Sequence, residues 1–240
     1  MDIYVTKEPS CSSVFEPNIE LIKKYEIIHW ESKVVNKKIK YPTTTVDIES
    51  SKLGFYADFL KIDTHGAEYE ILKGAIQALK KDIFGVLVET WVIEVYKNQP
   101  TSDQIIGFMK EKGFDLFDIG IAAAWKRSNL QGMKKGKRQI IGLDLLFLKR
   151  NEGGNITLNN VQKILKMAAI AEIYGYPDYA IELLNNGIIN LPNNKKILEE
   201  AKRIIISNLY KEEGVIGHLL RKIKSYLTGT KLLEYPKLHP

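Results

Sequence analysis

The apolar positions of this chain fall into short continuous runs over its first 150 residues and into three- and four-residue spacings beyond them. The clearest unit is ADFLKIDTHGAEYEILKGA at residues 57–75. Phe59, Leu60 and Ile62 make a short apolar run of the kind a buried strand shows, and the run ends at Asp63. Gly66 suits a tight turn out of that strand. Residues 67–79 then predict one helix, with Ile71, Leu72, Ala75, Ile76 and Leu79 at helical spacing. GVLVET at 85–90 is a continuous apolar run ending in an acid, as in a strand buried on both faces. Residues 102–112 predict a helix capped by Ser102 or Asp103 and stopped by Gly113. Further strands are expected at 114–119 and, across a basic loop, at 143–149.

Upstream the signals are shorter. Residues 2–6 alternate like a strand, 10–18 form a polar loop, 18–25 predict a short helix and 33–36 a strand. TTTVDI at 43–48 is a β-branched run leading to a connector that ends at Gly54. Strands alternating with helices, closed by a strand reached through a loop, predict an α/β fold with a mostly parallel sheet and an antiparallel last strand.

NEGGN at 151–155 reads as a linker between a domain at 1–150 and a helical region at 151–240. Helices are expected at 161–174, 177–190 and 193–210, and HLLRKIKSYL at 218–227 adds an amphipathic pattern. One helix–turn–helix copy of tetratricopeptide character is visible. A lone repeat cannot bury its own face, so these helices are expected to pack on the sheet domain or a second subunit.

Composition narrows the function classes. No stretch approaches the roughly 18 apolar residues of a membrane span, and MDIYVTKEPS is not patterned as a secretory signal. The single cysteine, Cys11, leaves no intrachain disulfide and makes a reducing, cytoplasmic setting the default. Basic residues exceed acidic ones by three on each side of residue 150, within a net charge of +6, so there is no charged tail. The cluster KKGKR at 134–138, with Lys126 and Arg127 upstream, reads as a solvated loop or an anion-binding patch. No motif points to nucleic acid. His29, His218 and His239 stand in no ligand spacing, so no metal site is expected.

Asp63 falls at a strand's carboxyl end, where open α/β sheets place their ligands. Glu68 and Glu70 fall in the first turn of the predicted helix, where its dipole favours negative charge. On the residues alone, Asp63 and Glu68 read equally as a capping pair or a catalytic pair. His65 has the ordinary pKa of a general base, and it reads also as a turn histidine in solvent. Glu89 and Trp91 end a strand and line an acceptor or pack the interior. Ser12, Ser13, Glu16 and Asn18 contact a ligand or do ordinary turn chemistry.

YVTKEPSCSSVFEPN, TVDI, DFLKIDTHGAEYEILKGA, VLVET, GFDLFDIG and LFLK, spread over residues 2–150, together resemble the FkbM-type family of S-adenosylmethionine-dependent methyltransferases. The resemblance implies a partial Rossmann-like methyltransferase sheet: the family's fourth to seventh strands, with the last antiparallel, plus the segment leading into them. The glycine-rich turn after the first strand and the acid ending the second, which hold the cofactor in such sheets, are expected to be missing. It implies O-methylation of a sugar or other small hydroxyl compound, with Asp63 and His65 handling the acceptor proton and Glu68 as a catalytic or supporting acid. Ser12, Ser13, Glu89 and Trp91 would bind substrate. The cofactor would be S-adenosylmethionine, with a missing N-terminal half or a second subunit as partner. The competing reading is a non-catalytic remnant or interaction module that binds a partner through its open sheet edge and C-terminal helices.

Overall fold

The computed structural model describes residues 1–26, 30–128, 136–151 and 160–212, with side chains to 209. The chain divides into two units, Met1–Arg150 and Asn151–Pro240. In the first, the elements in order are β1 (Asp2–Thr6), α1 (Ile19–Ile22), β2 (Val35–Lys40), α2 (Val46–Leu53), β3 (Phe59–Ile62), α3 (Glu68–Lys73), α4 (Ile76–Lys81), β4 (Gly85–Trp91), α5 (Ser102–Glu111), β5 (Phe114–Trp125) and β6 (Gln139–Lys149). The second holds α6 (Val161–Ile173), α7 (Pro177–Asn190) and α8 (Lys195–Glu212).

β1 and β2 pair antiparallel as a separate two-stranded ribbon. The main sheet has the order β3-β4-β6-β5. β3 and β4 are parallel, and β6 runs antiparallel to both β4 and β5. Three of the four strands, β3, β4 and β5, thus run the same way and the last one opposes them, as expected of a mostly parallel sheet with an antiparallel last strand. The last strand inserts between β4 and β5, which makes two of the three ladders antiparallel. One face of this sheet carries Ile62, Val86, Val88, Leu145 and Phe147, packed with Leu72, Ala78 and Leu79 from α3 and α4 and with Ile105 and Met109 from α5. A second apolar cluster joins Ile22, Tyr25, Trp91, Val95, Tyr96 and Ile141.

Several predicted bounds shift for identifiable reasons. The β-branched TTTVDI run does not extend as a strand: Thr45 accepts the Ile48 N–H at 3.2 Å and caps α2. The single helix expected over 67–79 is two. Asp47, from α2, donates its N–H to the Gly74 carbonyl at 3.0 Å, and its carboxylate accepts the N–H groups of Gln77 and Ala78, both at 2.9 Å. That cap starts α4 afresh, and Gly74 permits it, because a Cβ there would lie 3.1 Å from Thr45 Cβ. The cap of α5 is Thr101 rather than Ser102 or Asp103, its N–H donating to Gln104 Oε1 at 3.0 Å. β5 and β6 run well past their predicted ends because they pair with each other out to Trp125 and Gln139. β2 starts two residues later than expected and continues into the basic run, where Lys38 pairs with Asp2 of β1 at 2.9 Å.

Lys149, buried at the end of β6, donates to the carbonyls of Leu79 and Lys80 at 2.6 and 2.8 Å. It places a cation on the C-terminal turn of α4, where the helix dipole favours one. In the second unit α6, α7 and α8 pack on one another around Ile164, Met167, Ala171, Leu183, Leu184 and Leu198. Among the described residues no helix is long and apolar enough to cross a membrane.

All three tryptophans, Trp30, Trp91 and Trp125, lie in the first unit, so their fluorescence reports its unfolding alone. Asp47→Ala removes the cap that starts α4, and urea titration followed by that fluorescence should show a loss of about 1–2 kcal/mol. An unchanged midpoint would mean that α4 starts without this carboxylate.

Candidate functional site

The site sits at the carboxyl ends of β3 and β4. Ile62 pairs with Val88 in the parallel register, which brings Asp63 level with Glu89. Glu89 in turn faces Asp144 across the antiparallel β4–β6 ladder. Three carboxyl groups thus stand in a row across adjacent strands, with Lys61 beside Asp63 at 3.9 Å.

The turn after Asp63 is fixed by Glu68. This buried carboxylate, 3 % exposed, accepts the Thr64 N–H at 2.9 Å, the Thr64 hydroxyl at 3.0 Å and the Gly66 N–H at 2.8 Å. His65 and Gly66 take φ values of 55° and 119°. The first is rare for a residue with a side chain; the second favours glycine. A Cβ on Gly66 would also lie 3.2 Å from Ser13 Oγ, so the polar N-terminal loop packs directly against this turn. Glu68 therefore acts on the turn that carries Asp63 and His65.

Electrostatics follow from this packing. Glu89 and Asp63 share a hydrogen bond. Burial first, then that bond and the charges of Asp63, Asp144 and Glu68, push Glu89 up to about 8. The hydrogen bond from Glu89 holds Asp63 below the ordinary carboxylate range, with His65 and Lys61 adding to it against a smaller cost of burial. At neutral pH the pair holds one proton, on Glu89, and one negative charge, on Asp63. Burial and the charge of Asp63 also raise Asp144, while Lys61 opposes them. His65 is lowered by burial and then by the Lys33 ammonium, outweighing the pull of Asp63 and Glu68, and stands as neutral imidazole at pH 7.

An aromatic wall closes one side. The His65 ring lies 6.3 Å from Trp91 and 6.4 Å from Tyr96, and Trp91 lies 6.0 Å from Trp125. Lys33, nearly buried, sits over the Tyr96 ring at 5.8 Å. The Tyr96 hydroxyl donates to the Cys11 carbonyl at 3.2 Å. Trp91 is 5 % exposed, yet its Nε1–H finds no hydrogen-bond partner among the described residues.

The structure thus gathers Asp63, His65, Glu89 and Trp91, with Glu68 inside the turn and Ser13 against Gly66. The Ser12 hydroxyl accepts the Thr6 N–H at 3.2 Å. Glu16 pairs with Lys97 at 2.8 Å, and Asn18 caps α1 by accepting the Leu21 N–H at 3.1 Å. Sequence reasoning missed Asp144, Lys33 and Tyr96. A carboxylate inside the apolar LDLLFLK was the available signal for the first. Arg127 of the basic cluster lies over the Tyr25 ring and donates to Gln139 at 2.9 Å. Lys134 and Lys135, like His29, His218 and His239, lie outside the described residues. Among the described residues no group of three or more His, Cys, Asp or Glu is arranged to hold a metal ion.

The first unit is an α/β fold whose mixed sheet of four strands carries acids at the carboxyl ends of β3 and β4. Residues 7–116 match the family model of the methyltransferase FkbM domain. The resemblance read from the sequence motifs thus falls on the segment that this family model matches. No curated protein and no solved structure matches the chain.

The cofactor of such enzymes carries a sulfonium cation. The donor set here fits that part of it, because the row Asp63–Glu89–Asp144 places negative charge at the strand ends. The adenosine part calls for a glycine-rich strand-to-helix turn, and among the described residues the turn after β3 supplies only Gly66.

Two outcomes follow. Glu68→Ala leaves two backbone donors without their acceptor and should cost roughly 2–3 kcal/mol by tryptophan fluorescence, with Glu68→Gln recovering part of it; equal stability of all three proteins would remove Glu68 from the turn. Carboxyl ¹³C NMR should place the Glu89 midpoint near 8. Asp144→Asn removes a like charge and should lower it. Asp63→Asn, which removes both the closer charge and the ionised hydrogen-bond acceptor, should lower it further.

Proposed function

We propose that the first unit supplies the acceptor-binding and proton-handling part of an S-adenosylmethionine-dependent O-methyltransferase site for a sugar or other small hydroxyl compound. The observation that carries this is the carboxyl pair Asp63–Glu89, brought level by the parallel register of β3 and β4 at the turn that holds His65, inside the residues that match the methyltransferase domain. S-adenosylmethionine, when bound, supplies an electrophilic methyl group. The residues of this chain do the rest. Asp63, as carboxylate, orients the acceptor hydroxyl, and His65, as neutral imidazole, takes the proton that the hydroxyl loses. Glu89, protonated, donates to Asp63 and keeps the pair at one negative charge. The buried rings of Trp91 and Tyr96 exclude water from this side.

A second reading has an observation of its own. Among the described residues β3 is the last strand on its side of the sheet, and only one glycine follows it before α3. A unit that binds a partner along β3, either as an interaction module or to receive the adenosine-binding part from a second polypeptide or subunit, accounts for both.

Calorimetry with S-adenosylmethionine, followed by transfer of a radiolabelled methyl group to a panel of sugars, separates the readings. Methyl ether formation is expected where the adenosine-binding part is present with this unit. Asp63→Ala should reduce it by about 10²-fold or more, the scale of a lost acid–base group. The wild-type rate should fall in acid as His65 gains a proton below its ordinary value of 6.5, and again above about 8 as Glu89 ionises. Undiminished turnover by Asp63→Ala would refute the assignment. No cofactor binding, together with association on size exclusion, would favour the interaction module.

A further inference from the structure

The second unit carries a groove of about 480 Å³ between α7 and α8, within the roughly 300–1,000 Å³ of ordinary ligand clefts. Its floor is half-buried Asn185, Ile188, Lys202 and Ile206, and Lys195, Glu199 and Arg203 stand exposed on its rim. On α8, Lys195, Glu199, Lys202 and Ile206 fall at intervals of four, three and four, with Arg203 beside them, so one stripe of that helix faces the groove. From Lys195 to Ile206 that stripe runs about 16 Å at 1.5 Å per residue. An extended peptide of about five residues has the same length.

The lining holds three cations and one carboxylate. Lys195 is 3.7 Å from Glu199, and Arg203 is 2.6 Å from Glu200. Lys202 differs from both. Its ammonium lies on the floor and donates to the neutral amide oxygen of Asn185 at 2.8 Å, and no carboxylate of the described residues pairs with it. A half-buried cation with a neutral partner, set between Ile188 and Ile206, calls for an occupant that offers both a carboxylate and an aliphatic side chain.

We propose that the groove between α7 and α8 is a docking site for an acidic, aliphatic peptide segment of a partner protein, with Lys202 taking its central carboxylate. Lys195 and Arg203 draw the segment in from the rim, and Ile188 and Ile206 take its apolar side chains. The proposal is independent of the chemistry assigned to the first unit.

The test is fluorescence anisotropy of the full chain with a fluorescein-labelled octapeptide of alternating Glu and Leu, and with its Lys–Leu counterpart. The acidic peptide should bind saturably and lose affinity in about 0.5 M salt, where the charges are screened; the basic one should not bind. Lys202→Gln and Arg203→Gln should each weaken binding about tenfold. Lys196→Gln, exposed and outside the groove, should leave it unchanged, and helical circular dichroism checks that each variant is folded. The proposal is overturned by absence of saturable binding below roughly 1 mM, by equal binding of the Lys–Leu peptide, or by an equal loss in Lys196→Gln. A dimer on sedimentation that Lys202→Gln dissociates would give the groove to a second copy. Binding of a single-stranded oligonucleotide in place of the peptide would give it to nucleic acid.

Discussion

The arrangement at the sheet edge depends on one buried carboxylate. Glu68 gathers three donors from the Thr64–Gly66 turn, and a charged acceptor with several donors is among the stronger polar interactions a fold can make. It has to be strong, because the turn it holds is not one the chain adopts freely. Two successive positive φ angles, the first on a histidine, are stable only where the surroundings over-determine them. The same turn ends β3 at Asp63, aims His65 toward Trp91 and Tyr96, and presents Gly66 to Ser13 and Gln99.

Burial at this edge acts on two kinds of titratable group in opposite directions with one result. It penalises the charged form, so it raises Glu89 and lowers His65, and both are uncharged near neutral pH. Asp63, more exposed, keeps its charge, and the hydrogen bond from Glu89 stabilises it there. Because Glu89 ionises far above the ordinary glutamate value of 4.5, the folded state holds an extra proton between that value and about 8. Its contribution to stability is present below 4.5 and drains away as pH rises through that window. A site whose fold grows less stable toward alkaline pH for the sake of one protonated acid carries a cost of the kind found at functional positions.

Much of this was legible in the sequence because it is local. The apolar run into Asp63, the glycine three residues on and the acid-ended GVLVET all report on their own backbone. The division of the predicted helix was not legible, since its cause is Asp47, thirty residues upstream, capping α4 from another element. Asp144 escaped for a related reason. Read alone, LDLLFLK is a buried strand with one intruding acid, and its meaning appears only when β6 inserts between β4 and β5 and sets that acid beside Glu89. Glu68 was visible as a first-turn acid, but its reach back to Thr64 and Gly66 depends on a turn geometry that spacing does not encode.

The charge state bears on which chemistry the edge can support. Three ionised acids in a row would repel one another and demand a cation to balance them. The row avoids this by holding a proton, and Lys61 opposes the rise of Asp144. The Asp63–Glu89 pair itself then carries one negative charge, beside a neutral base and a buried aromatic wall, with the acids Asp144 and Glu68 close by. A neutral hydroxyl can enter such a place without a large desolvation penalty, and a single positive charge arriving opposite it finds one counter-charge already fixed in position. A phosphate or carboxylate would instead meet Asp63 with like charge, with Lys61 as the cation beside it. The carboxyl pair that holds this charge exists because the parallel register of β3 and β4 brings Asp63 level with Glu89.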